Sequence, residues 1–123
     1  MGPTVAIDKT ATLYDLRVED MTDPVGLDDK TPTFSWKTAS RTLGWQQTAY
    51  RILVSDGDEA VWDSGKVEDS ASIGIVYSGD ALKESTKYRW NVTVWNQKGE
   101  VKTSDTATFE IGLFGKASFG DAD

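Results

Sequence analysis

With 123 residues the chain is long enough for one domain around a single hydrophobic core. Its 20 acidic against 13 basic residues leave a net charge of −7, which repels phosphate backbones and anionic lipid and argues against nucleic-acid or membrane-surface partners. Cysteine and histidine are both absent, which removes disulfide frameworks and every Ser–His or Cys–His nucleophile system.

Residues 1–12 are small, polar and aperiodic and read as a loose leader. Leu13–Glu19 alternates as a first strand, with Tyr14, Leu16 and Val18 expected inward. Asp20–Pro32 is turn-rich (Asp23-Pro24, Gly26, Asp28-Asp29) and reads as a connection. Thr33–Thr38 is a second strand with Phe34 and Trp36 on one face, followed by a loop, Ala39–Gln47, that holds Gly44 and Trp45. Thr48–Ser55 puts Tyr50, Ile52 and Val54 together, and Asp56-Gly57-Asp58 reads as a hairpin turn into a short strand, Glu59–Asp63, ended by Ser64-Gly65. Ser70–Tyr77 is a weaker strand in which Ile73 and Ile75 point inward or, in the other register, Gly74 and Val76.

The segment from Leu82 to Gly99 carries the strongest signal. Tyr88, Trp90, Val92 and Val94 share one side of an extended chain, and Arg89, Asn91, Thr93 and Trp95 the other. Leu82, Thr86 and Tyr88 fit a tyrosine corner, in which the phenol reaches back to upstream backbone, and Asn96-Gln97-Lys98-Gly99 is a closing turn. Thr106–Ile111 is the last strand, with Ala107, Phe109 and Ile111 on one side, and residues 112–123 are Gly-rich and acidic. Seven short strands without a helix describe an all-β, antiparallel Greek-key β-sandwich, a small barrel being the alternative. No apolar run is long enough for a transmembrane helix and no signal peptide is read, so a soluble domain is expected.

Leu82, Thr86, Tyr88, Trp90, Val92, Asn96 and Gly99, with Trp36, resemble the signature of fibronectin type III, immunoglobulin-like domains. A narrower resemblance covers residues 13–114. The blocks LYDLRVEDMTDPVGLDDKTPTFSWK, QQTAYRILVSD, VWDSGKV, YRWNVTVWNQKG and FEIGLF are similar to the N-terminal module of bacterial α-L-rhamnosidases of glycoside hydrolase family 78. VWDSGKV (Val61–Val67) and FEIGLF (Phe109–Phe114) are its most specific pieces. The chain departs from that family at Thr103-Ser104-Asp105, where a tryptophan is common, and at Thr33, where a basic residue is usual. The resemblance implies a fragment, with 13–114 as the sandwich and 115–123 as a truncated linker to further domains of a bacterial glycoside hydrolase, cytoplasmic or exported. It transfers no catalytic carboxylate to this sequence.

Bottom-up, no catalytic, cofactor or metal residue is assigned. A glycosidase needs two carboxylates about 5–9.5 Å apart across a cleft, one with a raised pKa, and a small sandwich has little room for one. Asp56, Asp58 and Glu59 lack the spacing of a calcium loop, while Asp-Gly-Asp suits a tight turn. Trp62 could stack on a sugar with Asp63 accepting hydroxyl hydrogen bonds, or it could cover the sheet edge while Asp63 or Ser64 binds local backbone. Trp45, in a loop, and Trp95, on the outward side of its strand, could meet a neighbouring domain, form a platform for a rhamnose-containing glycan, or fold onto their own sheet. Interdomain contact is the expectation. Asn91-Val92-Thr93 matches a glycosylation sequon by chance. The sequence thus points to an accessory module whose partners are other domains of its parent, with a carbohydrate-binding module through Trp45, Trp62 or Trp95 as the alternative.

Overall fold

The computed structural model describes residues 6–113, so the start of the expected leader and the expected 115–123 linker lie outside the described residues. The eight strands are β1 (Ala11–Val18), β2 (Thr33–Ser40), β3 (Gln47–Asp56), β4 (Glu59–Asp63), β5 (Ile75–Val76), β6 (Thr86–Asn96), β7 (Val101–Thr103) and β8 (Ala107–Ile111). They form two antiparallel sheets, one ordered β1-β2-β5 and the other β4-β3-β6-β7, with β8 also pairing β6. The period-two apolar pattern of β2, β3, β6 and β8 explains the stacking, because each strand has one face to remove from water.

Phe34 and Trp36 of β2, Ile52 and Val54 of β3, Tyr88, Trp90, Val92 and Val94 of β6, and Phe109 and Ile111 of β8 are all 1% exposed or less. Phe34 is the hub: ring centroids of Trp90, Phe109, Trp62 and Tyr77 lie 4.7, 5.7, 5.8 and 6.4 Å from its own. Burying each such side chain contributes about 1.5–3 kcal/mol, so this ring cluster is the main apolar driving force. The Gly57-Asp58 turn joins β3 to β4 as a two-residue hairpin across the Asp56–Glu59 pair, with Gly57 at φ +61°, the conformation for which the Asp-Gly-Asp stretch is suited.

Four expectations change. In β1 the buried residues are Ala11, Leu13 and Val18, whereas Tyr14 is exposed. The cause is a β-bulge between Tyr14 and Arg17, with Asp15 at φ +52°, which shifts the alternation so that Leu16 and Val18 face inward and Tyr14 does not. The weak strand shrinks to Ile75–Val76; Ile75 packs inward, but Ile73 stands in solvent, because Gly74 takes a left-handed φ of +72° between them. The last ribbon is two strands instead of one, since Val101–Thr103 was too short to register as a strand. Within the stretch read as a leader, residues 11 and 12 open β1 and Asp8 is buried.

Both halves of the β7–β8 ribbon, the edge of the larger sheet, are covered. Ile7 bridges Val101 in parallel, with Asp8 N–H donating to the Val101 carbonyl. Leu27 bridges Ile111 in parallel, and Glu110 and Gly112 donate to the carbonyls of Pro24 and Leu27. These straps satisfy edge groups that would otherwise invite pairing with another chain. A second device crosses the sheet. Ser64 and Ser104 lie outside the paired residues Ile52 and Val92, each donating its N–H to the facing carbonyl and accepting the facing N–H on Oγ. A hydroxyl thereby replaces a backbone carbonyl where each edge strand leaves its register.

Candidate functional site

The expected tyrosine corner is present. Lys83 N–H donates to the Tyr88 hydroxyl at 2.8 Å, Leu82 is buried beside it, and the Tyr88 ring stacks on Phe109 at 5.3 Å.

At the end of β4, Val54 pairs with Trp62 and Leu53 with Asp63, so Trp62 turns inward and Asp63 outward. Trp62 meets Phe34 and, edge-on at 5.1 Å, Tyr77. Gly79 is pressed against it: a Cβ there would lie 2.3 Å from the Trp62 Cβ and 2.6 Å from the Val61 carbonyl oxygen. Tyr77 donates to the Asp80 carbonyl at 2.5 Å, and burial, with Asp80 and Tyr88 nearby, pushes its phenol up to about 12. Asp63 receives Arg51 Nε at 2.8 Å and Arg51 NH2 at 2.5 Å, and also accepts Gly65 N–H at 2.9 Å. The guanidinium and that N–H lower its carboxyl to about 2. This block therefore takes the second of the two arrangements open at the sequence level, in which Trp62 seals the sheet edge and Asp63 and Ser64 bind local groups.

Trp45 and Trp95 are each half-buried. Trp45 packs against the core and donates its indole N–H to Asp8 Oδ2 at 2.7 Å. Trp95 pairs with Ala49, which is fully covered although it is on the outer side of β3, and the Lys66 ammonium sits 5.0 Å from its ring centroid. Trp45, Trp62 and Trp95 thus lie in three separate settings, not in one aromatic platform.

Sequence reasoning missed the polar centre around Asp8. This carboxylate is 3% exposed and accepts Thr10 N–H at 2.8 Å, Thr10 Oγ1 at 2.7 Å, Trp45 Nε1 at 2.7 Å and Asn96 Nδ2 at 2.9 Å. Burial raises its pKa, but these hydrogen bonds outweigh it and hold the carboxyl well below the usual range. Asn96 in turn donates to Glu100 Oε1 at 2.8 Å and accepts Lys98 and Glu100 N–H at 2.8 and 3.0 Å, closing the β6–β7 turn. The cluster ties the N-terminal segment, the β2–β3 loop and the β6–β7 turn into one unit. The Asn-x-x-Gly turn was a legible signal for Asn96; nothing in sequence marked Asp8.

Among the described residues no group of three His, Cys, Asp or Glu side chains could hold a metal ion, and no helix is long and apolar enough to cross a membrane. Among the described residues the carboxylates with shifted pKa values, Asp8, Asp15 and Asp63, all move downward.

A family model described as Rha78A-like, N-terminal immunoglobulin domain matches residues 13–115. An α-L-rhamnosidase of Formosa agariphila is 36% identical over 108 residues, covering 81% of this chain and 11% of that protein. One from Streptomyces avermitilis is 37% identical over 108 residues, covering 83% and 10%. Among solved structures, the Streptomyces avermitilis α-L-rhamnosidase complexed with L-rhamnose superposes with a TM-score of 0.82 at 35% identity, over 87% of this chain and 11% of that one. The α-L-rhamnosidase from Dictyoglumus thermophilum gives 0.81 at 35% identity, over 89% and 13%. A human fibronectin type-III domain at 17% identity, TM-score 0.52, matches over 96% of both chains and shares the fold alone. This chain spans only about a tenth of the curated relatives it matches. The chain belongs to the Rha78A-like N-terminal immunoglobulin domain family, found at the N-terminus of α-L-rhamnosidases.

Proposed function

We propose that this domain is a non-catalytic accessory module of an α-L-rhamnosidase, packing against neighbouring domains of its parent and helping to orient the catalytic unit. The observation that carries this reading is the one-sided coverage: more than four-fifths of this chain aligns with only about a tenth of each relative, leaving most of the enzyme elsewhere. Site chemistry supports it. A glycosidase acid needs a carboxyl whose pKa is raised by an apolar pocket, and Asp8, Asp15 and Asp63 are pulled the other way by donors and cations.

Two measurements test the reading. The purified chain is incubated with an aryl α-L-rhamnoside; no turnover is expected, and turnover would overturn the non-catalytic assignment. Deleting residues 1–113 from the parent enzyme should lower its thermal midpoint. An unchanged midpoint would overturn interdomain packing.

A further inference from the structure

The tryptophans considered for sugar binding are each occupied within the domain, but one aromatic ring is offered to solvent over a concave surface. Tyr14 is 46% exposed and is the one aromatic among the exposed large apolar side chains of the described residues. It borders a trough on the outer face of the smaller sheet. Because Phe34 and Trp36 point inward, Ser35 and Lys37 of β2 form the floor. Tyr14, paired with Lys37, forms one wall. Ile73, 77% exposed, forms the other, carried by the backbone that accepts Trp36 N–H through the Ser72 carbonyl. These walls lie two strand spacings apart, about 10 Å, and small Ser35, opposite Arg17 and next but one to Lys37 along β2, leaves the floor low at that end.

We propose that this trough binds one pyranose residue of a neutral glycan, stacked on Tyr14 and hydrogen-bonded by Asp15 and Lys37. Asp15 receives Arg17 Nε at 2.8 Å and Lys37 Nζ at 3.0 Å, and Arg17 also reaches the Asp20 carbonyl at 3.3 Å. A carboxylate oxygen retains a second lone pair and the ammonium further protons, so an acceptor and a donor stand side by side for adjacent hydroxyls. Arg17, then Lys37, hold the Asp15 carboxyl below its ordinary value, which keeps it an acceptor. Two anions, Asp15 and Asp20, balance two cations, Arg17 and Lys37, so the trough favours neither an anionic nor a cationic ligand.

The bulge bears on the same point. Uniform alternation places Tyr14 with Leu16 and Val18 in the core. The shift at Asp15, a non-glycine residue at φ +52°, turns the ring outward while both aliphatic residues stay in. A protein partner is less well matched, since the two apolar walls are separated by a charged and hydroxylated floor instead of forming a continuous patch.

The test titrates the intact 123-residue chain with methyl α-L-rhamnopyranoside, cellotetraose and mannotetraose, following backbone amide shifts by NMR. The choice of the rhamnoside rests on the function proposed above; the other two sugars do not. Saturable shifts at Ser35, Lys37 and Ile73 are expected with at least one probe. Tyr14→Ala should weaken binding about tenfold or more at an unchanged thermal midpoint, while Tyr14→Phe stays within about threefold and Trp95→Ala has no effect. Binding of cellotetraose or mannotetraose without the rhamnoside supports the site and counts against a rhamnose role. No saturable shift with any probe, shifts centred on Trp62 or Trp95, or insensitivity to Tyr14→Ala overturns the proposal. So does burial of the trough beneath another domain, read as hydrogen-exchange protection of these amides in the parent enzyme without sugar.

Discussion

Two tryptophan–aspartate pairs hold this sandwich, and they work by different physics. Trp62 and Asp63 are chain neighbours that part company: the indole enters the ring cluster while the carboxylate stays outside on Arg51. Trp45 and Asp8 are 37 residues apart and bond directly, and among the described residues the hydrogen bonds to this carboxylate come from the neutral groups of Thr10, Trp45 and Asn96. At the first, apolar packing holds the structure and the ion pair decorates the surface. At the second, a buried charge is held by neutral donors, so removing it strands every donor aimed at it. A conspicuous charged motif is therefore the less consequential of the two carboxylates.

The largest effect should come from the packing half of the first pair. Gly79→Ala forces a methyl into the Trp62 side chain and Val61 carbonyl, and a loss of about 3 kcal/mol is expected by denaturant unfolding. A loss below about 0.5 kcal/mol would show that Trp62 is held more loosely than this contrast requires. Asp8→Ala should cost about 2–3 kcal/mol, since Trp45 Nε1, Asn96 Nδ2 and Thr10 N–H lose their acceptor together. Tyr88→Phe, which removes the acceptor of a single part-buried N–H, should cost about 1–2 kcal/mol. Asp63→Ala should cost less than about 1 kcal/mol, because both partners of that ion pair are solvent-exposed. If Asp63→Ala exceeded Asp8→Ala, the comparison would be inverted.

Acid unfolding sharpens the same contrast. Both carboxyls have folded-state pKa values below the free value of 3.8, so each stabilises the fold at pH above that value and loses its contribution as pH falls. For Asp63 the loss runs from about pH 4 through about 2; for Asp8 it begins at the same point and extends lower. Salt should weaken the exposed Asp63 share and leave the buried Asp8 share largely intact. Stability followed from pH 5 to 2 in Asp8→Asn, at low and high salt, should therefore show a shallower slope that is mostly salt-sensitive. A slope matching the unsubstituted chain would remove Asp8 from the account.

Where the pattern was local, it was legible. Phe34 and Trp36, Tyr50, Ile52 and Val54, the Tyr88-to-Val94 series and Phe109 all take the buried positions their alternation implied. The Asp-Gly-Asp turn and the tyrosine corner also follow from a few adjacent residues, because their geometry is set within one turn of chain. The site residues were less legible. Trp62-Asp63-Ser64-Gly65 was visible as a block, but which way Trp62 turned depended on β3, and the position of Trp45 depended on a carboxylate from the first ten residues.

By itself, then, the sequence determined that this is an all-β sandwich, which faces of β2, β3, β6 and β8 are buried, and which family it resembles. Those properties arise from hydrophobic periodicity and turn chemistry, both short-range. Tertiary structure alone decided the outward turn of Tyr14, the strapping of the β7–β8 edge by residues 6–8 and 24–27, and the meeting of Asp8, Trp45 and Asn96. A bulge changes the phase of a strand only where pairing with its neighbour demands it, and a buried hydrogen bond between distant residues exists only once both sheets have closed around it.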